Sequence, residues 1–459
     1  MMSPRKIVLV VGLIAVAQAA WAGGPLLVGG PKFGIEGQPF VWDNSVPIRY
    51  TTDGGTLGTW DNATANQHVA AAFAVWAAVP TASLSFQRAG PISGVSDVNT
   101  VALFNQVQGS CLSGAQTPVV YDSDGSLFRQ LTDPNVVGFA SVCLLSPGGK
   151  IVTGLAALNG SATTLMDGTM VHEFGHMLGL DHTQLNCRAT GCLADDNANI
   201  PTMFPVIFSN TQAQTLAQDD EAWISKLYPG PSFGTQYGTI SGRVLFSDGV
   251  TPVQDAVVIA RQVSRSPAAV TDQSAVVAVS GISGYRFTGN PGQPFSDTYL
   301  ACAPSSACSN GYFGNNHDGS MYGSRDPSLF GAYELPVPPG IYTLEVRTIS
   351  NGYTFNDIGP LDVTIDLPGP EEFWNAHESA SDTQFEILKS SGLLDTVTVT
   401  AGATTSGIDF ILNGTPPTAD DFDSGALFGA MTWPTTGGPF AVLRPLSLPV
   451  ASPPAAGKQ

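Results

Sequence analysis

The stretch His172-Glu173-Phe174-Gly175-His176-Met177-Leu178-Gly179-Leu180-Asp181-His182 holds three of the six histidines in the chain. It fits H-E-x-x-H-x-x-G-x-x-H at every fixed position, a coincidence expected about twice per million chains of this composition. His172 and His176 stand one helical turn apart, so both imidazoles leave the same face of a helix and can reach one ion. Val171, Phe174 and Leu178 then lie on roughly the opposite face, available to the core. Gly179 can take the left-handed conformation that ends a helix and folds the chain back. That return lets His182 offer a third nitrogen, at about 2.0–2.1 Å from a zinc ion. Three neutral nitrogens leave the fourth tetrahedral position for water, as in a catalytic zinc site. A structural zinc usually fills all four positions, commonly with Cys. Glu173, turned about 100° from the first ligand, can act on that water as a general base. The blander alternatives are solvated surface histidines or a zinc held for folding alone, and the latter has no use for a Glu at this place.

A helix must carry the first part of this constellation. It begins near Thr164, where Thr164-Leu165-Met166-Asp167 fits a capping box, and runs to Gly179. Lys150 to Leu158 ahead of it reads as a strand, and Val46 to Thr51 as an opening strand. Asp61 to Val79 reads as an Ala-rich helix stopped by Pro80, with Val69, Phe73 and Trp76 on one face. These elements make a mixed α/β block over 38–228. Pro229-Gly230-Pro231-Ser232 is the strongest boundary and opens a linker over 229–237. Beyond it Thr239 to Phe246, Ala256 to Ala260, Tyr342 to Ile349 and Thr396 to Thr400 are short, β-branched and turn-bounded. They predict an antiparallel, all-β sandwich over 238–414. A Gly/Ser/Asn-rich insertion occupies about 264–329, and 415–459 is a Pro/Gly/Ala/Thr-rich tail expected to be disordered.

Composition narrows the function classes. Lys+Arg 18 against Asp+Glu 37 gives a net charge of -19. No Lys/Arg cluster stands out, which argues against a nucleic-acid partner and against attraction to an anionic membrane surface. Charged residues make up only 12% of the chain and hydrophobic ones 43%, which suits a globular protein rather than a charge-driven disordered one. Residues 1–22 read as a secretory signal peptide. Arg5 and Lys6 precede an apolar run from Ile7 to Ala17, and Ala20-Trp21-Ala22 offers the cleavage site. No later stretch is long enough to span a bilayer, so a secreted protein with no integral membrane segment is expected. Six cysteines suit an oxidising destination. Proximity alone suggests the pairs Cys111–Cys143, Cys187–Cys192 and Cys302–Cys308. Asp122-Ser123-Asp124-Gly125-Ser126 could offer carboxylates to Ca2+, but an Asp-Gly turn between strands is the blander explanation and no Glu completes an EF-hand loop. His317 and His377 have no ligand spacing around them, and nothing in the sequence speaks to oligomeric state.

The zinc motif resembles that of the metzincin metallopeptidases, in which a Met-containing turn follows. Thr202-Met203-Phe204-Pro205 supplies such a turn, and the resemblance implies that Met203 lies beneath the zinc as an apolar floor. Thr183, Pro205 and the Asp219-Asp220 pair ahead of Trp223 to Tyr228 are most similar to the matrixin branch. The implied fold is an α+β metzincin-type catalytic domain, a twisted mixed sheet plus helices, followed by the all-β sandwich. The resemblance also implies that an edge strand near Leu155 to Leu158 binds an extended substrate by strand addition. Three features depart from matrixins. No Cys precedes Cys111, so a cysteine-switch propeptide is not expected; no His-rich segment offers a second zinc site; and Ile207 stands where a Tyr often lines the specificity pocket. The second half resembles the carboxypeptidase regulatory-like sandwich through Gly238 to Val244, Pro338 to Leu344 and Gly407 to Phe410, a module that is usually accessory. The implied function is a secreted zinc endopeptidase acting on protein or peptide substrates, with Zn2+ on His172, His176 and His182 and with Glu173 as base. The rival is a secreted binding or adhesion protein carrying an inactive metalloprotease-like domain.

Overall fold

The computed structural model describes residues 23–30, 33–132, 136–183, 185–186, 199–254, 256–287, 323–324, 326–348, 367–382, 392–416 and 444–445. The expected signal peptide over 1–22, Cys187, Cys192, Cys302, Cys308, His317 and nearly all of the tail lie outside the described residues. The architecture is mixed, with several sheets, few helices and no closed barrel among the described residues, consistent with an α+β class. No described helix is long and apolar enough to cross a membrane.

The chain takes part in the fold well before Gln38. Strand β1 (Val28–Gly29) pairs antiparallel with β2 (Gln38–Pro39), and Leu26, Phe33 and Phe40 are buried. There follow β3 (Val41–Trp42), β4 (Ile48–Thr52), α1 (Asn62–Ala77), β5 (Phe86–Pro91), α2 (Val101–Leu112), β6 (Pro118–Asp122), α3 (Phe128–Leu131), β7 (Gly138–Ser146) and β8 (Lys150–Asn159). The six strands from β3 to β8 form one mixed sheet in the order β3-β8-β6-β4-β5, parallel throughout except for β7, which lies antiparallel on β8. Ala156 to Leu158 pair with Val119 to Tyr121 of β6 on one side and with Gly138 to Ala140 of β7 on the other, so this end of β8 is interior and not an edge. The expected edge position is thereby corrected. Gly148 and Gly149, both left-handed at φ 83 and 81, turn the apolar run Gly138–Ser146 back onto β8, and β7 becomes the outer strand. The Cys111–Cys143 disulfide ties α2 to β7, as proximity suggested.

Helix α1 starts where Asp61 accepts a hydrogen bond from the Thr64 N–H, and its Val69, Phe73 and Trp76 are buried. This face meets α4 (Met166–Met177): Phe73 stacks on Phe174 with ring centroids 3.9 Å apart, and the Trp76 indole donates to the Val171 carbonyl. The start of α4 departs from the capping box. A 3-10 turn over Gly160–Leu165 precedes it, and no side chain caps it. The Asp167 carboxylate is engaged elsewhere, at 2.5 Å from His68 Nδ1 and accepting from Asn210. Beyond the metal-site loop come β9 (Val206–Ile207), α5 (Asn210–Ala213), α6 (Gln218–Leu227) and α7 (Phe233–Gln236). Strand β9 pairs in parallel with Arg444–Pro445.

The second half contains β10 (Gly238–Leu245), β11 (Val257–Val263), β12 (Ala278–Ile282), β13 (Ala332–Val337), β14 (Gly340–Arg347), β15 (Glu372–Phe373), β16 (Val397–Val399), β17 (Thr404–Thr405) and β18 (Phe410–Ile411). One sheet joins β13, β10, β17 and β18; the other joins β12, β11, β14, β15 and β16. Ile240, Leu335 and Phe410 of the first share a core with Val258, Leu344 and Val346 of the second. Two features differ from a simple antiparallel sandwich. Strands β17 and β18 pair with β10 in parallel, and β12 arises inside the stretch expected to be an insertion. All of β12 and nearly all of β11 are buried on both faces. A second body of protein covers their outer face.

Candidate metal centre

Helix α4 carries His172, Glu173 and His176, all buried. Its end is set by Gly179 at φ 84, where the Leu180 N–H reaches back to the Gly175 carbonyl at 2.9 Å. The reversal brings His182 to the helix face. His172 Nε2 lies 3.0 Å from His176 Nε2 and 3.2 Å from His182 Nε2, and the last two are 3.1 Å apart. Two nitrogens bound to one tetrahedral zinc are separated by about 3.3–3.4 Å, so this triangle is close to ligating size.

The opposite ring atoms fix the tautomers. His172 Nδ1 is 2.7 Å from the Thr202 carbonyl and His176 Nδ1 is 2.9 Å from the Leu180 carbonyl. A carbonyl only accepts, so each Nδ1 carries the proton and each Nε2 presents a lone pair to the others. Burial, then the neighbouring His176, holds the pKa of His172 well below its ordinary value, and burial takes His176 down to about 4. Both rings are therefore neutral near pH 7, as ligation requires. Among the described residues these three histidines are the one group of three or more His, Cys, Asp or Glu with ligand atoms close enough to hold a metal ion such as zinc.

Glu173 is buried beside them, and neither carboxylate oxygen has a hydrogen-bond partner in the protein. Burial alone pushes its pKa well above the usual carboxylate range. A cation held by the three nitrogens would oppose that shift. Room for the side chain comes from Gly138 at the start of β7, where a Cβ would sit 2.8 Å from Glu173 Oε1 and 2.9 Å from its Cγ. Met203 packs against Gly175 between the first two histidines, so closely that a side chain at 175 would collide with its sulfur. Its turn is held by Asp220, which accepts from the Thr202 N–H at 2.8 Å and the Met203 N–H at 3.0 Å. Burial raises the Asp220 pKa to about 6 against the pull of these bonds. Asp220 thus holds the peptide whose Thr202 carbonyl orients His172.

Sequence reasoning named the three histidines and Glu173; the structure brings the three histidines together, and Glu173 is buried next to His172 on the same helix. It passed over Gly138, whose only signal is a lone glycine opening an apolar strand, and His68, which pairs with Asp167 and stacks on Trp60. The candidate calcium segment behaves as a turn: Asp122 accepts from the Phe128 N–H, Asp124 from the Ser126 N–H, and Gly125 is left-handed. No described His, Cys, Asp or Glu joins that pair to make a three-ligand group. His377 is exposed. Ile207 is buried in a small apolar cluster with Val137 and Ala213. No protein-family model matches the chain, and no curated protein matches it.

Proposed function

We propose that the chain is a secreted zinc-dependent endopeptidase, metzincin-type and closest to matrixins in its motif, acting on protein or peptide substrates. The observation that carries this reading is the 3.0–3.2 Å triangle of Nε2 atoms, two of them from the helix that also carries the buried, unpartnered Glu173. His172, His176 and His182 would hold the ion. When bound, zinc supplies Lewis acidity, lowering the pKa of a water toward about 7 and polarising a carbonyl. Glu173 accepts a proton from the attacking water as the new C–O bond forms at the scissile carbon. It then delivers that proton to the amine nitrogen as the C–N bond breaks. Met203 packs an apolar side chain against Gly175 between the first two ligands, and the Thr202 and Leu180 carbonyls hold two of the rings in place.

A carboxylic acid buried without a partner costs about 1–3 kcal/mol or more, which a protein without use for it would shed on replacing it by an apolar residue. The binding-protein alternative leaves Glu173 without that use. The deciding experiment incubates the full chain with a diverse peptide library, beside Glu173→Ala and beside wild type with a zinc chelator. Cleavage is expected only from untreated wild type, with about one zinc retained per chain in Glu173→Ala. Equal cleavage by Glu173→Ala would remove Glu173 from the mechanism.

A further inference from the structure

The third ligand sits on a segment with no helix or strand to hold it: 181–183 and 185–186 are irregular, though buried. Part of its support comes from its own half of the molecule. The Thr183 N–H donates to the Met203 carbonyl, and the Gly23 N–H donates to the His182 carbonyl at 2.6 Å. The rest comes from the outer face of the sheet containing β11 and β12. Thr183 Oγ1, one residue from the ligand, lies 2.8 Å from Ser280 Oγ on β12. Ser280 is fixed from three sides: its N–H and hydroxyl both reach Asp219, and its carbonyl accepts from the Trp223 indole at 2.7 Å.

A second strut lies four residues past the ligand. Asn186 is the only non-glycine with positive φ among the described residues, at 67°. Three bonds hold it there: its side chain donates to the Asn199 and Ala275 carbonyls and accepts from Arg261 Nη1 on β11 at 2.6 Å, the last fully buried. Arg261 is itself aimed by Glu345, 3.2 Å from its Nε, and Glu345 is braced by Arg347 at 2.8 Å. A buried Arg–Glu–Arg array is a poor source of net stability, and an apolar replacement is often as stable. Its best-attested use is to fix one geometry, and here the geometry it fixes is the loop that ends at the metal.

We propose that β11 and β12 clamp the third metal ligand, with Ser280 and Arg261 as positioning residues for His182. This rests on the metal reading above. Removing either strut leaves the α4 pair intact and frees the loop, so metal binding weakens although no ligand has been touched. Loss of such outer partners commonly costs 10–100-fold in metal affinity.

The test uses the full chain, comparing wild type with Arg261→Met, Ser280→Ala, Asn186→Gly and the sandwich-core control Phe410→Leu. Zinc affinity is read by competition with a chromogenic chelator, and coordination by the visible spectrum of the Co2+-loaded protein, both well below the melting temperature. Asn186→Gly keeps the left-handed backbone accessible while deleting the side-chain bonds. The three clamp variants are expected to bind zinc about 10–100-fold more weakly, with an altered Co2+ spectrum, and Phe410→Leu to match wild type. Arg261→Met added to Asn186→Gly should lose little more than Asn186→Gly alone, since they share one bond. Wild-type affinity and spectrum in the clamp variants would overturn the clamp, as would an equal loss in Phe410→Leu. A wild-type chain that binds no zinc would instead remove the metal reading itself.

Discussion

Gly138 decides where Glu173 can stand. It opens β7 against α4, and any Cβ there would press on the Glu173 side chain and on Thr169. On the zinc-peptidase function proposed above, Gly138→Ala is expected to leave zinc bound, because no proposed ligand is touched, and to lower kcat. A displacement of about 1 Å at a reacting group costs on the order of 100-fold. Turnover of a cleaved peptide, measured beside zinc content, checks this, and an unchanged kcat would show that Glu173 has room to spare. The contrast in legibility at this scale is instructive. His172, Glu173 and His176 were readable because a helix converts spacing directly into a shared face. His182 was readable because Gly179 marks the reversal. Gly138 and the Thr202 carbonyl meet the site only through tertiary packing, and no local pattern announces them.

At the scale of elements, apolar periodicity placed α1, α4, β4, β8, β10, β11, β14 and β16 to within a few residues. Boundaries and partners were less accessible. The Asp167 carboxylate could cap α4 or pair with His68, and only the position of α1 decides for the latter. The apolar run of β7 shows no alternation, because it is buried along almost its whole length. Strand β15 carries the clearest pH signature. Glu372 is buried opposite Val346, with neither oxygen partnered. Burial, then Glu378 and Asp382, pushes its pKa up to about 9. The folded state therefore holds a proton that the unfolded chain releases near 4.5. Between those values stability falls as pH rises, by at most about 1.4 kcal/mol per unit from this group. Thermal melts from pH 6 to 9 should show a declining melting temperature that Glu372→Gln flattens. Parallel slopes for the two proteins would rule Glu372 out as the cause.

At the scale of the molecule, the two halves are joined by buried polar contacts. The Trp223 indole, Asp219 and Thr183 meet Ser280, Lys226 pairs with Glu334 at 2.8 Å, and Arg261 reaches Asn186. The outer face of β11 and β12 is buried by this contact, so neither half keeps its surface satisfied alone. Calorimetry of the full chain should show one cooperative transition, with calorimetric and van't Hoff enthalpies in agreement. Two separable transitions would return the sandwich to the role of an accessory module. The net charge of -19 does not oppose this contact, because the acidic groups in it are matched by Lys226, Arg261, Arg286 and Arg347 or by donors such as Ser280.

The sequence by itself determined what is encoded locally: a helix that aligns two histidines and a glutamate, a glycine that returns a third histidine, and an exchange of helical period for strand period after Pro229. These depend on bond geometry over a few residues. Tertiary structure alone decided that β7, not β8, is the outer strand, and that Asp167 pairs with His68. It also placed Gly138 to make way for Glu173 and the second half against Thr183 and Asn186, next to His182. Each of these joins residues far apart in the chain through packing and buried hydrogen bonds, whose partners are chosen by the whole fold and leave no mark in the local pattern.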